Sequence, residues 1–294
     1  MITKREEIEK MITALLPREE GLEKRVIEAG NAALLNGGKR LRPLILWESA
    51  RVFSKEIPRE KIAPFLAAME MIHTFSLIHD DLPAMDNDRL RRGQPTTWVR
   101  FGEDAAILAG DLLSIEAFQV MARAMEEEKD PDMLQRMLRA NGYLARAAGT
   151  RGMIAGQAVD MEYTGREISK EVLSYINSRK TGALMKASFA MGAILGGADK
   201  KQLALFEEAG EYVGEAFQIR DDMLDQIADE KSLGKPVHSD EKNQKCTYAA
   251  LYGLKESGER VEALSKKALA LLQEAGGDTT ALKEIIVSLT TRKS

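Results

Sequence analysis

Two short clusters of aspartates, each set in an otherwise apolar helical stretch, most constrain what this chain can fold into. The first comprises Asp80, Asp81 and Asp86, and the second comprises Asp221, Asp222 and Asp225. Carboxylates packed this closely repel one another unless a cation lies among them. The usual fate of a charge run is a solvated helix end. Because the same device recurs in a second apolar helix, we expect both clusters to bind divalent metal ions that hold a polyanion such as a diphosphate.

The composition favours a helical protein. Of the 294 residues, 44% are hydrophobic but only 5% are aromatic, and alternating strand patterns are essentially absent. The net charge of −4 gives no global attraction to nucleic acid. The only cysteine, Cys246, excludes an intrachain disulfide and fits a reducing compartment. Since no uninterrupted apolar run approaches the ~20 residues of a membrane span, we expect a soluble, cytoplasmic protein.

Prolines and glycines divide the chain into predicted helices. We expect one long helix from Pro131 to about Tyr163, and another from Ser169 to Leu195 that Gly196 and Gly197 cap. No linker rich in Pro, Ser or Gly interrupts the chain. Residues 1–294 are therefore predicted to form a single all-α domain, a bundle of roughly ten or more helices around a central active-site cavity.

Basic residues flank the acidic clusters. Lys39, Arg40 and Arg42 stand at the start of a helix, where the backbone N–H groups and the helix dipole favour an anion. An ordinary basic surface turn is an equally good interpretation of this stretch alone. Arg91 and Arg92 follow the first cluster, and either form surface ion pairs or grip diphosphates.

Polar side chains also interrupt apolar helices elsewhere. Lys180 and Thr181 lie in a helix rich in Ala, Leu and Met, where an unused lysine charge would cost free energy. Gln157 and Gln218 lie in similar surroundings, and buried glutamines with satisfied hydrogen bonds are the plain alternative. His73, on the helix that leads to Asp80, has the same alternative as a core histidine.

Several kinds of chemistry are excluded by missing motifs. There is no G-x-x-x-x-G-K-[ST] loop, no serine nucleophile elbow and no cysteine–histidine pair. Three scattered histidines offer no zinc spacing, so the oxygen ligands favour Mg²⁺. A diphosphate is therefore expected to be a leaving group, activated by metal ions and cationic side chains.

The order of these motifs resembles the short-chain trans-polyprenyl diphosphate synthases, and among them most closely the bacterial farnesyl diphosphate synthases. The matching stretches are Gly-Gly-Lys-Arg-Leu-Arg-Pro at 37–43, the run at 71–88 with its Asp-Asp-x-x-x-x-Asp motif, Leu-Arg-Arg-Gly at 90–93, Gly-Gln at 156–157, Lys-Thr-Gly at 180–182, Phe-Gln-Ile-Arg-Asp-Asp-Met-Leu-Asp at 217–225 and Gly-Lys-Pro at 234–236. The resemblance covers nearly the whole chain.

The resemblance implies a role for each matching residue. It implies direct Mg²⁺ ligands, for three ions in all, at Asp80, Asp86 and Asp221. It implies isopentenyl diphosphate contacts from Lys39, Arg42, His73 and Arg92. It implies allylic diphosphate contacts from Arg91, Lys180, Gln218 and Lys235, with Thr181 and Gln157 facing the developing cation. It also implies a homodimer.

Product length is expected to depend on the helix before Asp80. Ser76 lies one turn earlier on the same face and leaves room, whereas Phe75 lies ~7.5 Å from Asp80 along the axis. In relatives, a bulky aromatic at this position accompanies the fifteen-carbon product. The expected activity is therefore farnesyl diphosphate synthesis. Geranylgeranyl diphosphate synthesis, a terpene cyclase and an inactive regulatory subunit are the alternatives, and a simple core role is the alternative for Phe75.

Overall fold

The computed structural model describes residues 2–166, 168–227 and 247–291. Its helices are α1 Ile2–Thr13, α2 Lys24–Leu35, α3 Leu41–Phe53, α4 Arg59–Asp80, α5 Thr97–Phe101, α6 Glu103–Glu127, α7 Pro131–Ala148, α8 Met153–Tyr163, α9 Lys170–Ile176, α10 Gly182–Gly196, α11 Lys200–Ile227, α12 Tyr248–Ala275 and α13 Thr280–Thr291. A π-helical turn, Asn177–Thr181, joins α9 to α10. The fold is all-α, as predicted.

The described residues group into two compact units. The first contains residues up to Leu44 and residues 57–141, and the second contains residues 45–56 and those from Gly142 onward. The expectation of one continuous domain stays a prediction.

In the first unit, α4 packs along α6. Phe65, Leu66 and Met69 of α4 are completely buried, and so are the small residues Ala106 and Ala109 of α6. Small residues on one helix let a neighbouring helix approach closely, so the long side chains of α4 can fill the interface. This packing fixes the position of the α4 axis and therefore the position of the aspartates at its carboxyl end.

In the second unit, α10 and α12 both pack against α11. Almost every residue of α10 is buried, and Phe189 of α10 meets Phe206 of α11 with ring centroids 6.4 Å apart. Gly197 ends α10 in the left-handed conformation (φ 90°), which confirms its predicted capping role. This core holds the helix that carries the second aspartate cluster.

A two-residue hairpin follows the first aspartate cluster. Strand β1, Leu90–Arg91, pairs antiparallel with β2, Gln94–Pro95. Its turn residues Arg92 and Gly93 have φ of 54° and 74°, the positive values that a type I′ turn requires. The hairpin places consecutive arginines on opposite sides of the ribbon.

Two predicted helices are broken in the structure. The helix expected from Pro131 to Tyr163 ends at Ala148 and restarts at Met153, because Gly149 and Gly152 stand in between and Gly152 has φ and ψ of −134°. The helix expected from Ser169 contains the π-helical turn. Its start was correct, since the Ser169 side chain accepts a hydrogen bond from Val172 N–H.

Helices α4 and α6 are long and apolar enough to cross a membrane by length and composition alone. In α4, 78% of the most apolar window is buried inside the protein, as in the core helix of a soluble protein. In α6 the buried share is 50%, so this helix is less completely covered than α4.

Candidate active site

The first aspartate cluster is folded back on itself. Asp80 is the last residue of α4, and the loop that follows returns so that Asp86 N–H donates to the Asp80 backbone carbonyl at 2.9 Å. Asn87, with φ of 54°, completes the turn through a bond from its N–H to Leu82 O. The backbones of Asp80 and Asp86, six residues apart, are thereby brought together at one helix end.

Asp81 has a different partner from its neighbours. It is 3% exposed, and Arg91 forks onto it with Nε and Nη2 at 2.6–2.9 Å. Burial by itself lowers the pKa of the Arg91 guanidinium, but its hydrogen bonds to Asp81 and the nearby aspartate charges raise that pKa overall. Arg91 therefore braces the hairpin against α4, and its pairing is buried rather than a surface ion pair.

Arg42 and Arg92 lie around His73, which is seven residues before Asp80 on α4, and we call this group the cationic pocket. Arg42 Nη1 lies 3.4 Å from His73 Nε2, and Arg92 Nη1 donates to Gly37 O at 2.5 Å. Burial, then the positive charges of Arg42 and Arg92, lower the pKa of His73 well below its ordinary value. His73 is therefore neutral at neutral pH, and the arginines leave a positive potential suited to an anion. Lys39, three residues before Arg42 in sequence, is exposed.

Arg40, between these cations, has a structural role that the sequence did not suggest. It is 3% exposed, its Nη1 donates to Glu70 Oε1 at 2.7 Å and its Nη2 donates to Leu34 O at 2.7 Å. Its φ of 47° is one that few non-glycine residues adopt. In the sequence, nothing distinguishes Arg40 from its basic neighbours Lys39 and Arg42. The available signal was Glu70, an acid inside the apolar helix α4.

Phe75 and Ser76 lie on different sides of α4. Phe75 is 8% exposed and meets the His79 ring edge-on with centroids 5.9 Å apart. His79 Nε2 in turn lies 3.0 Å from the carbonyl oxygen of Ile107 in α6. Ser76 is half-buried and donates to His73 O at 2.9 Å. Phe75 is thus directed toward α6, and Ser76 lies on the side of His73.

In the second unit, the π-helical turn presents Lys180 and Thr181. Lys180 Nζ donates to Asp160 Oδ2 of α8 at 2.6 Å. A side chain on Gly156 of α8 would place its Cβ 2.2 Å from Lys180 N, so only glycine lets α8 pack this close to the turn. Asp160 was not assigned a role from sequence. Its position three residues after Gln157 on the same helix was the available signal.

A chain of hydrogen bonds joins the turn to the second aspartate cluster. Thr181 Oγ1 lies 2.6 Å from Gln218 Oε1, and Gln218 Nε2 donates to Asp222 Oδ1 at 2.8 Å. The other Asp222 oxygen accepts from Tyr248 N–H at 3.0 Å. Asp222 and Asp225 are buried, whereas Asp221 is half-buried. The buried members thus organise α11, and Asp221 is the more accessible carboxylate.

These groups line a cavity of about 180 Å³ in the second unit. Its walls include Asp160, Lys180, Thr181, Gln218 and Asp222. In addition, both polar atoms of the Gln157 amide are buried and lack a hydrogen-bond partner among the described residues. Buried amides are normally satisfied, so this one is available to a ligand.

The aspartates provide an oxygen-only donor set. Within residues 2–166, 168–227 and 247–291, no three carboxylate, imidazole or thiol groups assemble a metal site by themselves. Mg²⁺ commonly takes one or two carboxylates and completes its shell with phosphate oxygens and water. Asp80 with Asp86, and separately Asp221, fit that preference. Lys235, the remaining predicted site residue, lies outside the described residues.

Comparison with known proteins gives consistent matches. The family model described as polyprenyl synthetase matches residues 23–287. A farnesyl diphosphate synthase from Geobacillus stearothermophilus is 44% identical, over 95% of this chain and 92% of its own. The large subunit 1 of a chloroplastic heterodimeric geranylgeranyl pyrophosphate synthase from Arabidopsis thaliana is 41% identical, over 91% of this chain and 71% of its own.

A solved structure agrees with these sequence matches. The geranyltransferase from Helicobacter pylori, complexed with magnesium and isoprenyl diphosphate, superposes with a TM-score of 0.82 at 28% identity. The match covers 97% of this chain and 94% of the other.

Proposed function

Because this chain belongs to the polyprenyl synthetase family, we propose that it is a prenyltransferase that makes farnesyl diphosphate. It condenses isopentenyl diphosphate head-to-tail with dimethylallyl diphosphate and then with geranyl diphosphate. The observation that carries the proposal is the paired Asp80 and Asp86 at the end of the same helix that carries neutral His73 among arginines. Asp80 and His73, the histidine of the cationic pocket, thus lie on the same helix, α4.

The cationic pocket is proposed to hold isopentenyl diphosphate. Lys39, Arg42 and Arg92 supply positive charge, and a neutral His73 can donate one hydrogen bond while accepting another. His73 is half-buried, so water has limited access to these contacts. The isopentenyl double bond is thereby held in one orientation.

The allylic diphosphate is proposed to bind at the aspartates. Asp80, Asp86 and Asp221 would hold Mg²⁺, three ions in all. When bound, these ions would neutralise negative charge on the departing diphosphate. By the family resemblance, Arg91, Lys180, Gln218 and Lys235 are proposed to contact that diphosphate. Lys180 is oriented by Asp160 and Gln218 by Asp222, so neither needs to reorganise as charge develops.

Condensation then follows from charge separation. As the allylic C–O bond breaks, the oxygens of Thr181 and Gln157 stabilise the carbocation. The isopentenyl double bond attacks it, and a proton is lost to the departed diphosphate, since none of the site residues stands out as a base. The protein's contribution is to stabilise the leaving group and to exclude water.

Geranylgeranyl diphosphate synthesis is the second candidate, because one of the similar relatives has that name. The buried ring of Phe75 favours the shorter product if it closes the chain pocket. A terpene cyclase would not need Lys39 and Arg42.

The molecule is further proposed to be a cytoplasmic homodimer. Ile107, Leu108 and Ile115 on α6 are 45%, 52% and 68% exposed. Apolar residues repeated along one helix form a patch of the kind that a partner covers. A second copy of this chain is the simplest partner, with α6 at the interface.

Product analysis tests the proposed activity. The protein is incubated with Mg²⁺ and isopentenyl diphosphate, with and without dimethylallyl diphosphate, and separately with farnesyl diphosphate alone. We expect farnesyl diphosphate only when both the isopentenyl and an allylic substrate are present. A cyclic hydrocarbon from farnesyl diphosphate alone would establish a cyclase instead, and twenty-carbon product would establish the second candidate.

A further inference from the structure

A second and larger cavity lies in the second unit, beside the one that contains Lys180. Its volume is about 600 Å³, within the range of roughly 300–1,000 Å³ that is typical of small-molecule sites. Its walls come from the turn between α7 and α8, from α9, the π-helical turn, α10, α11 and α12. They include Arg151, Lys170, Arg179, Tyr248 and Tyr252. None of these residues has a role in the proposed condensation.

The charge around this cavity is positive. Its two acids are already neutralised, because Lys186 pairs with Glu211 at 2.6 Å and Arg260 pairs with Glu215 at 2.6 Å. Arg151, Lys170 and Arg179 remain. None of these three cations has an ion pair with any carboxylate of the part of the chain that the structure describes. An anion would therefore be attracted into the cavity.

The residues that line the cavity also indicate which kind of anion it would bind. Arg179 Nε is buried and has no hydrogen-bond partner among the described residues, although Nη1 of the same side chain donates to Arg151 O. The rings of Tyr248 and Tyr252, with centroids 4.4 Å apart and planes 31° from parallel, form an aromatic wall beside the cations. Lys170 Nζ lies 4.6 Å from the Tyr252 ring centroid. An organic anion with a flat or apolar body would fit both features.

The two cavities share a wall. Leu173 and Asn177 line both of them. Arg179, which lines the larger cavity, directly precedes Lys180 in the π-helical turn. Tyr248 lines the larger cavity with its ring, while its backbone N–H ends the hydrogen-bond chain that runs from Thr181 through Gln218 and Asp222. The larger cavity thus borders Tyr248, at one end of this hydrogen-bond chain, and Arg179, the residue before Lys180.

We propose that the larger cavity binds a small organic anion with an apolar body, and that its occupancy slows the reaction at the smaller cavity. The anion draws Arg179 toward itself, which shifts the turn and disturbs the bond between Lys180 and Asp160. The binding site stands on its own geometry. Its effect on turnover rests on the proposed function.

A fluorescence titration of the full chain with 1-anilinonaphthalene-8-sulfonate, an aromatic sulfonate, tests the binding site. We expect saturable binding of one equivalent, and about tenfold weaker binding in Lys170→Glu because an attractive charge becomes repulsive. Tyr252→Ala should also weaken binding. Lys255→Glu is the matched control, since this lysine lies on α12 with a side chain that is 93% exposed and is not part of the cavity. Equal affinity in all four proteins would overturn the proposal.

Turnover tests the coupling. The sulfonate should slow prenyl transfer about fivefold or more in the wild type and in Lys255→Glu, and should have little effect in Lys170→Glu at the same concentration. Equal inhibition of Lys170→Glu would mean that the sulfonate acts at the catalytic cavity, which overturns the coupling. If the chain transfers no prenyl group at all, the proposed function fails, while the titration still decides the binding site.

Discussion

At the scale of single residues, Lys39 and Arg40 are adjacent in sequence but differ in surroundings. Arg40→Met leaves Glu70 as an uncompensated buried charge, so we expect a loss of about 3–5 kcal/mol in the free energy of unfolding. Lys39→Ala, at an exposed position, should leave stability nearly unchanged. It should weaken isopentenyl diphosphate by about tenfold to a hundredfold, through the loss of a charge-assisted phosphate contact.

Urea unfolding and steady-state kinetics measure both effects. If Lys39→Ala raised only the KM for the allylic substrate, the assignment of the two diphosphates would be reversed.

His73 makes stability depend on pH. Its folded-state pKa is lowered by burial and by Arg42 and Arg92, so the unfolded chain binds its proton more readily than the folded protein does. The free energy of unfolding should therefore fall as pH drops below the ordinary histidine pKa of 6.5. His73→Asn should show a shallower loss between about pH 7 and pH 5. Urea midpoints across that window decide the matter, and parallel curves for the two proteins would contradict the neutral imidazole.

Asp80→Ala and Asp221→Ala should each abolish prenyl transfer while keeping the helical circular dichroism signal. Each carboxylate is proposed to serve a metal ion rather than packing, and removing one relieves repulsion within its cluster, so the metal-free protein should be slightly more stable. Asp132→Ala, at an exposed position in the first turn of α7, is the control and should stay active. Near-normal turnover of either site variant at saturating Mg²⁺ would refute the metal assignment.

At the scale of elements, helices with regular periodicity were predictable and their interruptions were not. Ala105, Leu108, Leu112 and Ile115 recur at the spacing of one helix over residues 103–127, and α6 has those bounds. The break near Gly149 and the π-helical turn at Asn177–Thr181 depend on contacts with other helices, such as the approach of Gly156 to Lys180 N. A local pattern contains no information about such contacts.

The direction of Phe75 is another element-scale property. The Phe75 ring contacts His79 on the α6 side of α4. We propose that this ring closes the end of the pocket that holds the growing prenyl chain, which we call the floor of the chain pocket. Removing the ring should therefore lengthen the product. We expect Phe75→Ala to shift the product from farnesyl toward geranylgeranyl diphosphate, as measured by chromatography of the dephosphorylated products.

Phe65→Ala is the matched control for this change. Phe65 is fully buried on the same helix, so its truncation should cost about 3–5 kcal/mol of stability without altering product length. If Phe75→Ala still gave only the farnesyl product, the floor would lie elsewhere, and residues 114–118 of α6 are the next candidates.

At the scale of the whole molecule, the uncovered face of α6 predicts the oligomeric state. Ile115→Glu places a charge in the proposed interface, so we expect the dimer to dissociate in sedimentation velocity at micromolar concentration. Leu22→Glu is the control, because Leu22 is fully exposed between α1 and α2 and its replacement should leave the dimer intact. A wild-type protein that sediments as a monomer would contradict the homodimer outright.

The packing of the whole molecule determines which partners orient the site residues, and the sequence alone did not identify those partners. The aspartates, Lys180 and Gln218 were identified because their chemistry conflicts with apolar helices. Their partners were not, because the pairs Lys180–Asp160 and Arg91–Asp81 are made by tertiary packing. Residue type predicts which groups do chemistry, whereas packing determines which groups orient them.

The π-helical turn gives the second unit a particular helical phase. A π turn accommodates one more residue than the α-helical path would, so α9 and α10 are out of step by one residue, about 100° of rotation. Deleting Ser178 would let one uninterrupted α-helix form, with better backbone hydrogen bonds. In that helix the residues on either side of the deletion could not both keep their present faces: either Leu173 and Ile176 would rotate out of their packing, or Lys180 would rotate away from Asp160. The less regular π-helical turn thus lets α9 keep Leu173 and Ile176 packed while Lys180 still faces Asp160.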